Sequence, residues 1–134
     1  MKRLLAAFIF FTRLPFGRIM AVPADCFKHV VPYWPIVGWL TGGILAGTLW
    51  LLAQVLPLQV AWIGAIVVRL LVTGCLHEDG LADFCDGFGG GTTRERTLVI
   101  MKDSHIGTYG VVGLIVYFLL WSQMIVFLLG ILCA

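Results

Sequence analysis

The stretch YWPIVGWLTGGILAGTLWLLAQVL, residues 33 to 56, carries no charged side chain and decides the fold class. A helix needs about 20 mostly apolar residues to cross a hydrocarbon core of about 30 Å. Two further stretches, at about 58 to 76 and 109 to 133, are also apolar over that length. We therefore predict an all-α, polytopic membrane protein with about three transmembrane helices.

The composition of the whole chain favours the same class. Of its 134 residues, 60% are hydrophobic and only 12% are charged, a balance that water-soluble domains do not tolerate on their surfaces. No internal repeat or polar linker is visible, so we treat residues 1–134 as a single membrane domain. We expect membrane lipid as a partner and leave open a homo-oligomer.

The basic residues predict the orientation of the chain in the membrane. They lie before the first apolar stretch and after the second, whereas the segment around residues 57 to 59 is uncharged. The positive-inside rule then places the amino terminus and residues 77–108 in the cytoplasm. Because this topology explains the basic residues, the net charge of +2 gives no reason to expect a nucleic-acid partner.

The amino-terminal sequence MKRLLAAFIFFTRL, residues 1 to 14, begins like a signal peptide. Arg13 and Pro15 cut the apolar run short, and no cleavage site of small residues follows. We therefore expect an interfacial amphipathic helix at the amino terminus.

Isolated residues in the apolar stretches have ordinary structural explanations. Arg69 either snorkels to the membrane surface or faces inward as a partner for carboxylate or phosphate. The cysteines show no C-x-x-C spacing, and we expect them to be small buried hydrophobes in a reducing compartment. These are Cys26, Cys75, Cys85 and Cys133.

The most acidic stretch is CLHEDGLADFCDGFGG, residues 75 to 90. At about 100° per residue on a helix, Asp79, Asp83 and Asp86 fall within an arc of about 60°. The neighbouring His77 and Glu78 point away from this arc. The sequence thus predicts three carboxylates on one face of a helix at the cytoplasmic end of the second apolar stretch.

The rest of this helix fits a binding face with an apolar back. Gly80 and Gly87 fall beside the three carboxylates, where another backbone or a bulky ligand can approach closely. Leu81, Phe84 and Phe88 fall on the opposite side, which can lie against other helices or lipid.

Three carboxylates on one face repel one another, so we expect a cation there. Oxygen ligands select Mg²⁺, Mn²⁺ or Ca²⁺, and a sparse set that leaves room for phosphate oxygens fits Mg²⁺ best. A solvated acidic face is the structural alternative. A zinc site through Cys75, His77 and Cys85 lacks a tetrahedral ligand set.

A second polar stretch, IMKDSHIGTYG at residues 100 to 110, lies on the same side of the membrane. Lys102 can meet phosphate, Asp103 can join a metal, and His105 can transfer a proton near neutral pH. Alternatively, Lys102 and His105 are interfacial anchors, and Asp103 or Ser104 ends a helix. Carboxylates beside basic groups at a membrane surface favour transfer of a phosphate-linked group.

The connection between the two polar stretches predicts one short helix. Thr92, with Glu95 three residues later, has the pattern of a capping box that starts a helix ending near Asp103. Gly107 and Gly110 are expected to interrupt the chain before the third apolar stretch.

Several distinctive motifs resemble, in the same order, those of the adenosylcobinamide-GDP ribazoletransferase family, also called cobalamin 5'-phosphate synthases. They are FFTRLP at 10 to 15, PIVG at 35 to 38, HEDGLADFCDG at 77 to 87, GG at 89 to 90 and IMKDSHIGTYG at 100 to 110. The resemblance implies a multi-pass enzyme of the bacterial inner membrane that uses Mg²⁺. Its substrates would be adenosylcobinamide-GDP and α-ribazole or its 5'-phosphate, and GMP would be released. The resemblance covers the amino-terminal half of the family's length, so we expect part of a longer enzyme.

The resemblance also implies roles for individual residues. The metal carboxylates would be Asp79, Asp83 and Asp86. The residues close to the phosphates would be Lys102, Asp103 and Ser104, and the family often has Arg where this chain has His105. We predict that Asp83 takes part in catalysis and that either Asp86 or Asp103 is the general base, with Gly80 and Gly87 beside the substrate.

Other functions fit parts of the pattern. A CDP-alcohol phosphotransferase does similar chemistry with a D-G-x-x-A-R motif, but in this chain the alanine of D-G-L-A-D at 79 to 83 is followed by Asp where that family has Arg. An ion path through the membrane would use carboxylates near the middle of a span. An inactive fragment or a structural subunit that needs a partner chain is a further alternative.

Overall fold

In the computed structural model, all regular secondary structure of the described part of the chain is helical. That part is the backbone of residues 1–132, with all side chains except those at 125, 126, 128–130 and 132, so Cys133 lies outside it. No strand occurs in this range, which confirms the all-α class. The α-helices in the described range are α1 (Lys2–Phe11), α2 (Trp34–Leu52), α3 (Leu58–Thr73), α4 (Leu76–Gly90), α5 (Arg94–Ile100) and α6 (Thr108–Leu132).

The chain forms two compact units, Met1–Gly74 and Cys75–Ala134. The prediction of a single membrane domain therefore stays a prediction. The first unit contains α1 to α3 and three short 3₁₀ helices, which are Pro15–Arg18, Ala24–His29 and Val31–Tyr33.

The core of the first unit lies around α1. Ala6, Ala7 and Phe11 of this helix are buried together with Val30 and Val37. The two alanines have small side chains, so neighbouring segments can approach the α1 backbone closely. A helix at the amino terminus is confirmed, with Ala6, Ala7 and Phe11 buried, and its interfacial position stays a prediction.

The second apolar stretch ends earlier than predicted, at Thr73 instead of near residue 76. Gly74 adopts a left-handed conformation with φ of 65°, and its N–H donates to the carbonyl of Leu70, which closes α3 as a C-cap. A side chain at Gly74 would also collide with Arg13. The backbone N–H of Arg13 donates to the carbonyl of Val72 over 2.7 Å, so the end of α3 is held by the segment after α1.

The number of membrane spans stays a prediction. Among the described residues, the segment Val31–Leu52 is long and apolar enough by itself to cross a membrane. The helices α3 and α4 meet the same criterion only when they are taken together as one broken span, and Thr108–Met124 is a shorter apolar segment.

The second unit consists of α4 with α5 and α6 packed on it. Glycines make the close contacts possible. A side chain at Gly113 of α6 would come within 2.5 Å of the Cys85 sulfur, and one at Gly89 of α4 would collide with the Tyr109 ring. The α4 and α6 backbones therefore approach as closely as glycine allows.

Some local predictions were wrong. The N-cap of α5 is Thr93, whose hydroxyl accepts from the Arg96 N–H over 3.2 Å, and the helix ends at Ile100. Gly110 does not interrupt the chain but lies in the first turn of α6. Cys75 is exposed, not buried. Gly110 is the third residue of α6, and its N–H donates to the Asp86 carboxylate.

We predict that Thr93→Ala destabilises α5 by about 1 kcal/mol, because it removes the side-chain acceptor of the Arg96 amide. Amide hydrogen exchange of Arg96 measures the loss. Thr92→Ala is the matched control, since this exposed threonine is one residue outside the cap. A larger effect from Thr92→Ala would contradict the assignment of the cap.

Candidate active site

The four acids of α4 fall into two pairs that differ in exposure. Glu78 and Asp86 are buried, with 5% and 8% of their surface exposed. Asp83 is half-buried and Asp79 is exposed. Glu78, Ala82 and Asp86 are spaced by four residues and form a buried row. The predicted acidic stripe exists as one continuous helix, but Asp86 belongs to its buried edge.

Asp86 bonds to the first turn of α6 through both oxygens. Oδ2 accepts from the Gly107 N–H over 2.7 Å, and Oδ1 accepts from the Gly110 N–H over 2.8 Å. Because α6 begins at Thr108, these amides belong to its N-cap and third positions, which have no acceptor within the helix. Asp86 thus caps the start of α6, a role that usually belongs to the side chain of the helix's own N-cap residue.

Gly107 and Gly110 are glycines because Asp86 lies directly over them. A side chain at Gly107 would come within 2.5 Å of the Asp86 carboxylate, and one at Gly110 would collide with the same group. The side chain of aspartate is short, so the backbones of α4 and of the start of α6 must come close for the two hydrogen bonds to form. The sequence shows the three residues, but not that they are in contact.

The second polar stretch lies against α4 at its two ends. At one end, a side chain on Gly87 would come within 2.5 Å of the Met101 side chain. At the other end, Gly107 bonds to Asp86. The loop of residues 102–106 therefore starts and finishes at neighbouring positions of α4, and the structure brings the two predicted polar stretches together there.

The predicted substrate glycines have different surroundings. Gly87 is buried, and its missing side chain makes room for Met101 and Thr97. Its small size is thus explained by packing of α5. Gly80 faces open space: apart from its own stretch of helix, no described atom lies within 4 Å of where a side chain would begin. Of the two, Gly80 leaves room for a ligand beside Asp79 and Asp83.

Loop 102–106 carries an acid and a histidine that bind each other. Nδ1 of His105 lies 2.6 Å from Oδ1 of Asp103, and the same oxygen accepts from the His105 backbone N–H over 3.2 Å. The hydrogen bond to Asp103 raises the pKa of His105 above 6.5, and the same bond lowers the pKa of Asp103 below 3.8. Lys102 and Ser104 beside this pair are exposed.

One buried polar contact was missed from the sequence. The hydroxyl of Tyr117 in α6 donates to Oε1 of Glu78 over 3.5 Å, at the long limit of a hydrogen bond. Glu78 was predicted only to point away from Asp79, Asp83 and Asp86, and the structure buries it. The signal was Tyr117 itself, a hydroxyl in an apolar helix that needs a polar partner when it is buried.

The described residues contain no group of three or more His, Cys, Asp or Glu side chains that could hold a metal ion. The zinc alternative through Cys75, His77 and Cys85 therefore has no support in this part of the chain. Asp79 and Asp83, one turn apart beside the open space at Gly80, are the carboxylates with room for a cation. The Mg²⁺ site stays a prediction.

The fold is all-helical in the described residues, and its second unit packs an acidic helix, α4, and a polar loop, residues 102–106, against the long apolar helix α6. The chain belongs to the cobalamin-5-phosphate synthase family, whose sequence profile matches residues 3–133. The resemblance seen in the motifs is thereby confirmed.

Curated relatives named adenosylcobinamide-GDP ribazoletransferase are similar along most of the chain. The relative from Leptothrix cholodnii is 46% identical over 79% of this chain and 40% of its own length. The relative from Leptospira interrogans is 40% identical over 85% and 43%. The relative from Shewanella frigidimarina is 45% identical over 90% and 46%. The chain thus spans less than half the length of these relatives, and no solved structure matches it.

We predict that the pKa of His105 falls towards 6.5 in Asp103→Asn, because the substitution removes the carboxylate that stabilises the imidazolium. Because the pKa of His105 is raised, the stabilisation from its pairing with Asp103 is present below pH 6.5 and is lost as the pH rises through the raised pKa of His105. The same stabilisation is lost in strong acid, as the pH falls through the lowered pKa of Asp103. A histidine NMR titration measures the shift.

Ser104→Ala is the matched control for this titration. It changes the residue between the pair and leaves both partners in place. An unchanged His105 titration in Asp103→Asn would show that the two side chains are not paired in solution.

Proposed function

We propose that the chain carries the ribazole-transfer site of a cobalamin 5'-phosphate synthase. The reaction joins α-ribazole or its 5'-phosphate to adenosylcobinamide-GDP and releases GMP, giving adenosylcobalamin or its 5'-phosphate. The observation that carries this proposal is the match of residues 3–133 to the family, together with relatives that bear the name of this activity. The residues that bear chemistry in the matched region are the exposed acids of α4 and the groups of loop 102–106.

The proposed setting is a multi-pass protein of the bacterial inner membrane with three spans and the acidic helix on the cytoplasmic side. Support comes from large apolar side chains that stay exposed among the residues that the structure describes. Trp39 and Trp50 of α2 are 84% and 66% exposed, and Leu120 of α6 is 68% exposed. Burying apolar surface is worth about 25 cal/mol per Å², so helices of this kind are stable in lipid and not in water.

In this proposal Asp79 and Asp83 hold Mg²⁺. Two carboxylates one turn apart, with open space at Gly80, leave coordination positions for water and for the oxygens of a pyrophosphate. When bound, the ion would offset the charge on the departing GMP. Asp83 is half-buried, which fixes its side chain more than that of the exposed Asp79.

Loop 102–106 supplies the other groups in this proposal. Lys102 offers an exposed ammonium to a phosphate oxygen. Asp103 is the better of the two predicted general bases, because its carboxylate is accessible whereas that of Asp86 is buried and bonded to two amides. A base must reach the 5'-hydroxyl of α-ribazole to take its proton as the oxygen attacks phosphorus.

We predict that Asp83→Asn lowers the rate of GMP release by at least about thirtyfold, or on the order of 2 kcal/mol, because a neutral amide is a poor magnesium ligand. The assay uses the chain in membranes with adenosylcobinamide-GDP, α-ribazole and Mg²⁺. Glu95→Gln on α5 is the matched control, since it removes an exposed acid outside the site.

Glu78→Gln is unsuitable as this control, because Glu78 is buried against Tyr117 and its substitution changes folding as well as charge. Equal losses in Asp83→Asn and Glu95→Gln would remove the metal from the proposal. Absence of GMP release from the unmodified chain would mean that the site is incomplete in this chain.

We predict that a cysteine in place of Thr92 reacts with membrane-impermeant thiol reagents only from the cytoplasmic side. The reason is that basic residues follow Thr92 in the same segment, and the positive-inside rule places such segments in the cytoplasm. The background variant lacks the four natural cysteines. A cysteine in place of exposed Gln59, next to the uncharged turn before α3, is the matched control and should react only from outside. Labelling of Thr92→Cys in intact cells would contradict the topology.

A further inference from the structure

We propose that Asp86 is a positioning residue that fixes loop 102–106 against the carboxyl-terminal end of α4, and that it is neither a metal ligand nor the general base. This inference rests on the proposed function for what the loop does, but its structural part is independent of any activity. It is carried by the two hydrogen bonds from Gly107 and Gly110 to one buried carboxylate.

Both oxygens of the Asp86 carboxylate accept hydrogen bonds. Each oxygen of Asp86 accepts one backbone N–H, at 2.7 and 2.8 Å, which are the distances of charge-assisted bonds. The amides lie at the start of α6, where the helix dipole also favours a negative charge. Turning the carboxylate towards a cation on the Asp79 and Asp83 side would leave two donors unsatisfied in a buried place.

A general base has a requirement that the buried Asp86 does not meet. It must reach a substrate hydroxyl to within about 3 Å, directly or through one water. Asp86 is 8% exposed, and the first turn of α6 lies against it. Asp103 is exposed in the loop, where Oδ1 is bonded to His105, so its carboxylate is accessible to a substrate in a way that the buried Asp86 is not.

The position of the loop depends on Asp86. Gly107, the last residue before α6, is the point where the loop ends, and its amide is held by Oδ2 of Asp86. The other end of the loop is held less specifically, by apolar contact of Met101 with Gly87. Removing the carboxylate therefore frees the end of the loop nearest His105 while leaving the end nearest Lys102 in place.

Amide hydrogen exchange of the chain in detergent micelles tests the structural part. In the unmodified chain, we expect the Gly107 and Gly110 amides to be protected, since helix start positions have no acceptor of their own. In Asp86→Asn, their exchange should accelerate at least about tenfold, because an amide side chain has one acceptor oxygen instead of two. Asp83→Asn is the matched control and should leave both amides unchanged.

Fast exchange of both glycine amides in the unmodified chain would overturn the proposal. So would equal acceleration in Asp86→Asn and Asp83→Asn. If Asp86→Asn does not fold, protection in the unmodified chain and in Asp86→Glu, which keeps the charge on a longer side chain, decides the same question.

Kinetics test the functional part through a readout that separates positioning from metal binding. The Mg²⁺ concentration for half-maximal GMP release should change less than about twofold in Asp86→Asn, while the KM for adenosylcobinamide-GDP rises. Gly107→Ala should reproduce this pattern, because its side chain would displace the Asp86 carboxylate. Combining the two substitutions should add little to either alone.

A raised Mg²⁺ requirement in Asp86→Asn but not in Gly107→Ala would show that Asp86 is a metal ligand and would overturn the proposal. If the unmodified chain releases no GMP, the proposed function of this chain fails, and the exchange experiment still decides the role of Asp86.

Discussion

The second unit depends on one interaction, the buried carboxylate of Asp86 at the start of α6. It ties a helix that carries the exposed acids to a helix that is apolar along its length, and it fixes the polar loop between α5 and α6. Gly107 and Gly110 follow from it, since a side chain at either position would meet the Asp86 carboxylate. A negative charge next to amides that lack helical acceptors is one of the few ways to satisfy both groups away from water.

Most of the fold was predictable because its signals are local. Apolar length predicted α2 and α6, and three-residue and four-residue spacing predicted α4 as a helix with an acidic side. Family motifs at 77–87 and 100–110 predicted the family, which the comparisons confirm. These signals need only neighbouring residues and a helical period.

The rest was not predictable because it depends on contacts between residues far apart in the chain. Asp86 had the same helical phase as Asp79 and Asp83, and only the position of α6 sets it apart. Gly110 had the pattern of a helix breaker, yet Asp86 satisfies its amide and the helix begins before it. Buried Glu78 and Tyr117 are separated by several turns of helix and two connections, so no local pattern joins them.

The junction at Gly74 and Cys75 has a consequence for how the chain tolerates change. Both residues are left-handed, and Cys75, with φ of 60°, is the non-glycine residue in that conformation within residues 1–132. A left-handed residue with a side chain costs roughly 1 to 2 kcal/mol, so the surroundings must enforce it. Before the junction, Arg13 fills the space that a side chain at Gly74 would need, and after it the Asp79 N–H donates to the Cys75 carbonyl as α4 begins. Position 75 therefore tolerates several small or polar residues, asparagine and glycine most readily, whereas position 74 tolerates almost nothing except glycine.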